Sequence, residues 1–249
     1  MIKFFRNIRR RLLRENRFTR YLIYAVGEII LVVIGILIAL QINNWNENRK
    51  ADIRKHKLLE NLHTEFRDNL TELDSVSREM DKLILSLEEV FDHFKPSQQT
   101  KSKTQLDSLL SKALYSPSWR PSEYLLNNLG NSGSIADLKN ERLKLLLYKW
   151  SRLMNKLRDV DQSTGEKGDE IISYIKQNGS LRNVDVNNHN FRYRRSLLGM
   201  DNSNLFLDPE FENHIDDKLF MYQQTRNVLK ELRLVLVQLI AETGKKEYD

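Results

Sequence analysis

From Tyr21 to Ile42 the chain reads YLIYAVGEIILVVIGILIALQI, twenty-two residues broken by one charge, Glu28. As a helix rising about 1.5 Å per residue this run covers roughly 33 Å, enough for a hydrocarbon core of about 30 Å. A buried helix of a water-soluble domain is normally shorter, or shows polar positions at a period of 3.6. A cleavable signal peptide has an apolar region of about 7–15 residues followed by small residues at a cleavage site. Here the run is longer and continues into Gln41-Ile42-Asn43-Asn44-Trp45, which offers no such site. The segment therefore reads as an uncleaved signal-anchor, a single transmembrane helix. Arg17, Arg20, Tyr21 and Tyr24 at one end and Trp45 past the other stand where interfacial anchors belong.

Charge is confined to the start. Residues 1–20 hold eight basic residues against Glu15, a net of +7. Removing those eight, with Glu15 and Glu28, from totals of 40 basic and 34 acidic leaves 32 of each. The body is neutral and exerts no bulk attraction on nucleic acid, so none is expected as a partner. Five basic residues follow the span within a comparable distance. The bias places the N-terminus inside and, in a double-membrane bacterium, the rest in the periplasm, with the anchor in the inner membrane. Phe5, Ile8 and Leu12 fall at helical spacing between arginines. The tail reads either as an amphipathic helix on anionic lipid or as an unstructured charged leader.

Ala25, Glu28, Val32, Gly35, Ala39 and Ile42 recur in steps of three and four, a heptad-like seam. Gly35 and Ala39 form a small-xxx-small pair that lets backbones approach. A carboxylic acid inside the span is costly unless neutral, paired or facing protein. The stripe reads as a helix-contact seam, for a second copy or a membrane-protein partner. The alternative is a lone protonated Glu28 tolerated by lipid.

Beyond the span the apolar period is helical. Leu59, Leu62, Phe66, Leu70, Leu73, Val76, Met80, Leu83, Leu87, Val90 and Phe94 predict one long helix, free to continue from the span because no Gly or Pro intervenes between Gly35 and Pro96. Further helices are predicted at about 105–115, at 122–129, along the stripe Leu143 to Val160, and from Asp208-Pro209-Glu210 to about Thr243. Ser134 and Asp137 resemble a capping box for the third of these, Gly165 and Gly168 are expected to kink or restart it, and Asn178-Gly179 to stop it. Residues 180–207 look polar and aperiodic. The predicted fold is all-α: a basic tail (1–20), a transmembrane helix (21–42), and an antiparallel bundle of three to four long helices (43–249).

Candidate chemistry is sparse. His56, Glu60 and His63 share a helix face, and Glu60-x-x-His63 is half of a carboxylate-bridged di-iron motif with no second half in the chain. Glu89/His93 and Glu210/His214 are i, i+4 pairs suited to weak metal binding, or simply solvated faces. Nucleotide-loop, nucleophile-elbow and zinc-protease motifs are absent from the sequence, as is Cys. Phe191-Arg192-Tyr193-Arg194-Arg195 suits an anionic ligand, a lipid headgroup or nucleic acid, or is an ordinary surface loop. Trp119, Arg120, Tyr124 and the turn 131–134 would line a notch at the bundle end, or pack as core and turn. No catalytic residue, metal site or cofactor is assigned, and an enzyme is not expected. The expected role is a non-enzymatic scaffold or sensor working through helix contacts. The alternative is an accessory or stator-like subunit of an inner-membrane complex that uses Glu28.

The stretch Gly27 to Glu47, GEIILVVIGILIALQINNWNE, resembles the start of a family of uncharacterised bacterial single-span membrane proteins, a domain-of-unknown-function family. The segment Pro121–Leu143, with its NSGSI turn and Asn140-Glu141-Arg142-Leu143, is similar to that family's second recurring feature. The resemblance implies the same topology and brings no activity or ligand.

Overall fold

A computed structural model describes residues 18–94, 101–131, 135, 138, 140–188 and 192–244. The chain divides into two compact units, Met1–Leu58 and Leu59–Asp249. Helix α1, Phe18–Phe91, is unbroken over 74 residues, as the absence of Gly and Pro after Gly35 predicts.

In the first unit the described residues are helical. From 22 to 42 every side chain except that of Ala25 is exposed. Past the apolar run, Lys50 pairs with Glu47 at 3.0 Å and the Arg49 guanidinium lies 6.0 Å from the Trp45 ring centre.

In the second unit three long helices carry the core: the 59–91 stretch of α1, α4 (Glu141–Asn178) and α6 (Pro209–Thr243). Their buried positions keep the 3–4 rhythm of the sequence: Leu62, Phe66, Leu73, Met80, Leu83, Leu87 and Val90 on α1, and Leu229, Leu232, Leu236 and Leu239 on α6. Polar contacts at their edges set direction. His63 meets Ile240, Asp74 meets Arg233 and Asp81 meets Arg226, so α6 runs antiparallel to α1. Asn140 meets Glu242, Lys156 meets Glu231 and Lys167 meets Asp217, so α6 is antiparallel to α4 as well. Hence α1 and α4 run the same way. The chain returns between them through α2 (Lys103–Leu114), an extended segment, and α3 (Tyr124–Asn131).

Two expectations for α4 need correcting. It does not kink or restart at Gly165 and Gly168. A Cβ at either glycine would meet nothing within 4 Å, and the burial of Ile171, Tyr174 and Ile175 just beyond outweighs a glycine penalty of about 1 kcal/mol each. Its N-cap is Asn140, whose side chain accepts from the Leu143 N–H at 3.0 Å. Ser134 and Asp137 lie outside the described residues. At the other end Gly179 stops the helix in an extended conformation, φ −150°. Glycine is needed there for space: a Cβ would stand 2.4 Å from Asn202 Oδ1.

The stretch 180–207 is more ordered than its composition suggests. Ser180 caps a short helix α5 (Leu181–Asp185), and Asp201 caps a 3₁₀ turn, Asn202–Leu207. Phe206 from that turn packs with Phe94 and Phe211, ring centres 5.8 and 6.3 Å away, and closes one end of the core. Asp208 then caps α6 through the Glu210 N–H, with Pro209 at N1.

Candidate functional site

The features of the first unit lie on one helix, so its geometry follows from the helical repeat. Ala25, Glu28, Val32, Gly35 and Ala39 fall within an arc of about 80°. Glu28, Val32, Gly35 and Ala39 are exposed, Ala25 is half-buried, and a Cβ at Gly35 would meet nothing within 4 Å. An 18-residue window here has a mean hydropathy of 2.7, with none of it buried. Among the described residues α1 is the single helix long and apolar enough to cross a membrane. Tyr24 and Trp45 are exposed and stand about 32 Å apart along the axis. Arg20 and Tyr21 belong to the helix, while Arg17 lies outside the described residues.

The polar pairs read from the second unit do not converge. His63 turns inward: its Nδ1 lies 3.1 Å from the Ile240 carbonyl and 3.3 Å from Thr243 Oγ1, so it caps the last turn of α6, while His56 is exposed. His93 Nδ1 donates to the Glu89 carbonyl at 2.9 Å, and the imidazole packs edge-on to Phe206. His214 lies 3.7 Å from Glu170 and packs on Tyr174. No group of three or more His, Asp or Glu gathers as a metal site among the described residues. The notch residues also separate. Trp119 is buried edge-to-face on Trp150, whereas Arg120 and Tyr124 are exposed. Of the turn, 132–134 lie outside the described residues, as does Phe191.

The buried polar groups sit elsewhere. Glu65 on α1 accepts from Ser122 Oγ at 2.5 Å and from the Leu125 N–H at 3.3 Å, while Asn69 exchanges two 2.8 Å bonds with the Ser122 backbone. Together they clamp the start of α3 to α1, beside a cleft of about 370 Å³ lined by Asn61, Thr64, Asp68 and Tyr124. A second network centres on Asn202. Its amide donates to buried Asp107 at 2.7 Å and to the Ser180 carbonyl, and its oxygen accepts from the Ser180 N–H at 2.6 Å. Arg195 completes the charge on Asp107. These partners are separated by 22 and 95 positions, and an isolated Asn or Asp gives no periodic signal.

Lys218 is the third. It is 1% exposed, and among the described residues its ammonium has only long contacts to the Tyr115 carbonyl (3.5 Å) and Ser116 Oγ (3.4 Å), with the Tyr222 ring 5.7 Å away. Burial lowers its pKa to about 8. Tyr115 and Ser116 also line a cavity of about 560 Å³ between α2, α4 and α5, where burial raises the pKa of Asp185 against the pull of Arg182. Tyr174 is held protonated to about 12 by its hydrogen bond to Asp208. A lysine on an amphipathic helix reads as a surface position unless burial is known.

Fold and site together define an all-α bundle that follows one apolar, membrane-length helix. The chain belongs to a family of unknown function (DUF6090), whose model matches residues 28–165. That match takes in Glu28, Gly35, the Glu65–Ser122 clamp and the Trp119–Trp150 pair, and stops before α6. No curated protein and no solved structure matches the chain.

Proposed function

We propose that this chain is a non-enzymatic membrane-anchored scaffold or sensor that acts through helix–helix contacts. Its N-terminus would lie in the cytoplasm and its bundle in the periplasm, anchored in the inner membrane. The observation that carries this reading is the seam: Glu28, Gly35 and Ala39 share one face of an otherwise apolar exposed helix. The close approach allowed by small residues, and the cost of a carboxyl group in lipid, both favour a second helix on that face. The partner is a second copy or another membrane protein. Because α1 is continuous, a shift at the seam has a covalent, helical route into residues 59–91.

The chain has no native Cys, so single Cys substitutions report cleanly. Disulfide crosslinking in native membranes should peak at positions 32, 35 and 39 and be weak at Ile30 and Leu37, on the opposite face. Uniform crosslinking around the helix contradicts the seam. Glu28→Gln separates the scaffold from a stator-like subunit: a scaffold assembles and works, whereas a proton-handling subunit assembles and fails.

A further inference from the structure

We propose that the loop 192–200 is a second lipid contact, which inserts Leu197 and Leu198 into the interface of an anionic bilayer. Leu197 is 100% and Leu198 86% exposed, and Met200 beside them is 45% exposed. Adjacent leucines exposed to this degree are unlike the scattered apolar residues of an ordinary surface, because the surrounding backbone holds them out. Asn183, itself buried, grips the loop on both sides of its tip: its Oδ1 accepts from the Ser196 N–H at 2.9 Å, and its Nδ2 donates to the Met200 carbonyl at 3.1 Å. Ser196 Oγ accepts from the Leu198 N–H at 3.2 Å, and Gly199 takes φ +68°, a left-handed turn that a residue with a Cβ resists. Arg195 fastens the base of the loop to Asp107. The leucines are thus presented on a braced turn, with little ordering left to be done on insertion.

Charge selects the occupant. Arg192 and Arg194 precede the tip by a few residues, both exposed and with no ion-pair partner among the described residues. The carboxylates the loop packs against are already engaged, Asp107 by Arg195 and Asp201 by Lys103 at 2.6 Å. An apolar apex with exposed guanidinium groups and Tyr193 preceding it fits acyl chains below and anionic headgroups around. The arginine-rich segment conspicuous in the sequence is therefore half of the feature, and the leucines after it are the other half.

The test uses the full chain in a phosphatidylcholine nanodisc, with an environment-sensitive fluorophore on Leu198→Cys and, as a control, on Leu85→Cys, an exposed position on α1. Adding 3:1 phosphatidylethanolamine:phosphatidylglycerol vesicles should raise and blue-shift emission at 198 and leave it unchanged at 85. Pure phosphatidylcholine vesicles should do neither. Arg192→Gln with Arg194→Gln should weaken the vesicle affinity read at 198 by roughly 30-fold at low salt. Unchanged emission at 198 with anionic vesicles overturns the proposal. So does an affinity insensitive to the two arginines, or a rise with protein concentration in the absence of vesicles, which would instead mark contact between copies of the chain.

Discussion

Replacing Lys218 with Met removes a buried cation that has no carboxylate bonded to it among the described residues. The folded-state pKa is about 8 against an ordinary value of 10.5. That gap of 2.5 is worth about 3 kcal/mol at 1.36 kcal/mol per unit. The sign follows from the protons. Below pH 8 both folded and unfolded chains carry the proton, and the full burial cost weighs on the fold. Between pH 8 and 10.5 the unfolded chain binds more protons, so stability rises with pH. The surrounding groups act in the other direction and later. Tyr222 and Tyr115 have raised pKa values, through burial and through the Glu79 hydrogen bond respectively, and Tyr174 reaches about 12, so stability falls with pH once unfolded tyrosines ionise above about 10. Asp161, the carboxyl whose charge acts on Tyr222, has a pKa raised by burial against the pull of Arg120. The clean interval is therefore about pH 7.5–9.5. Urea melts of the full chain in detergent, followed by far-ultraviolet circular dichroism, should show the wild type gaining about 2 kcal/mol across it. Lys218→Met should be flat within about 0.5 kcal/mol and more stable than wild type at pH 7.5. A wild-type curve that is flat or falling, or a Met variant that keeps the slope, refutes the reasoning.

Two further substitutions probe the parts of the bundle that sequence periodicity does not explain. Asn202→Ala removes three hydrogen bonds and strands the Ser180 N–H and part of the Asp107 carboxylate, so thermal or urea unfolding should show a loss of about 3–5 kcal/mol, with hydrogen exchange accelerated across 192–207. Gly165→Ala and Gly168→Ala sit in open helical positions and should each add about 0.5–1 kcal/mol in the same assay; a loss at either would mean that the helix is not continuous there.

The long helices were legible because their burial is periodic. The 3–4 spacing of Leu62 to Val90 and of Leu229 to Leu239 survives unchanged into the core, and Asp208-Pro209 and Gly179 mark the ends they announce. What was not legible depends on partners distant in sequence. Gly165 and Gly168 look like a break locally, and only the packing of Ile171, Tyr174 and Ile175 keeps the helix intact. Ser122 belongs to Glu65 and Asn69 through contacts 53 and 57 positions apart, and Asn202 belongs to Asp107 and Ser180. His63 carries metal-like spacing yet serves as a cap, because the end of α6 arrives beside it. That Ala25, Glu28, Val32, Gly35 and Ala39 share one face follows from spacing alone, because all five ride on a single helix.

The central claim is that residues 21–42 stay in a bilayer and tether the bundle. Extraction of native membranes with alkaline sodium carbonate, followed by N-terminal sequencing of the retained chain, tests it most directly. The account predicts that the full-length chain remains in the membrane pellet with residues 1–42 intact. Release of the intact chain into the supernatant, or a mature chain beginning near Asn43, would contradict it.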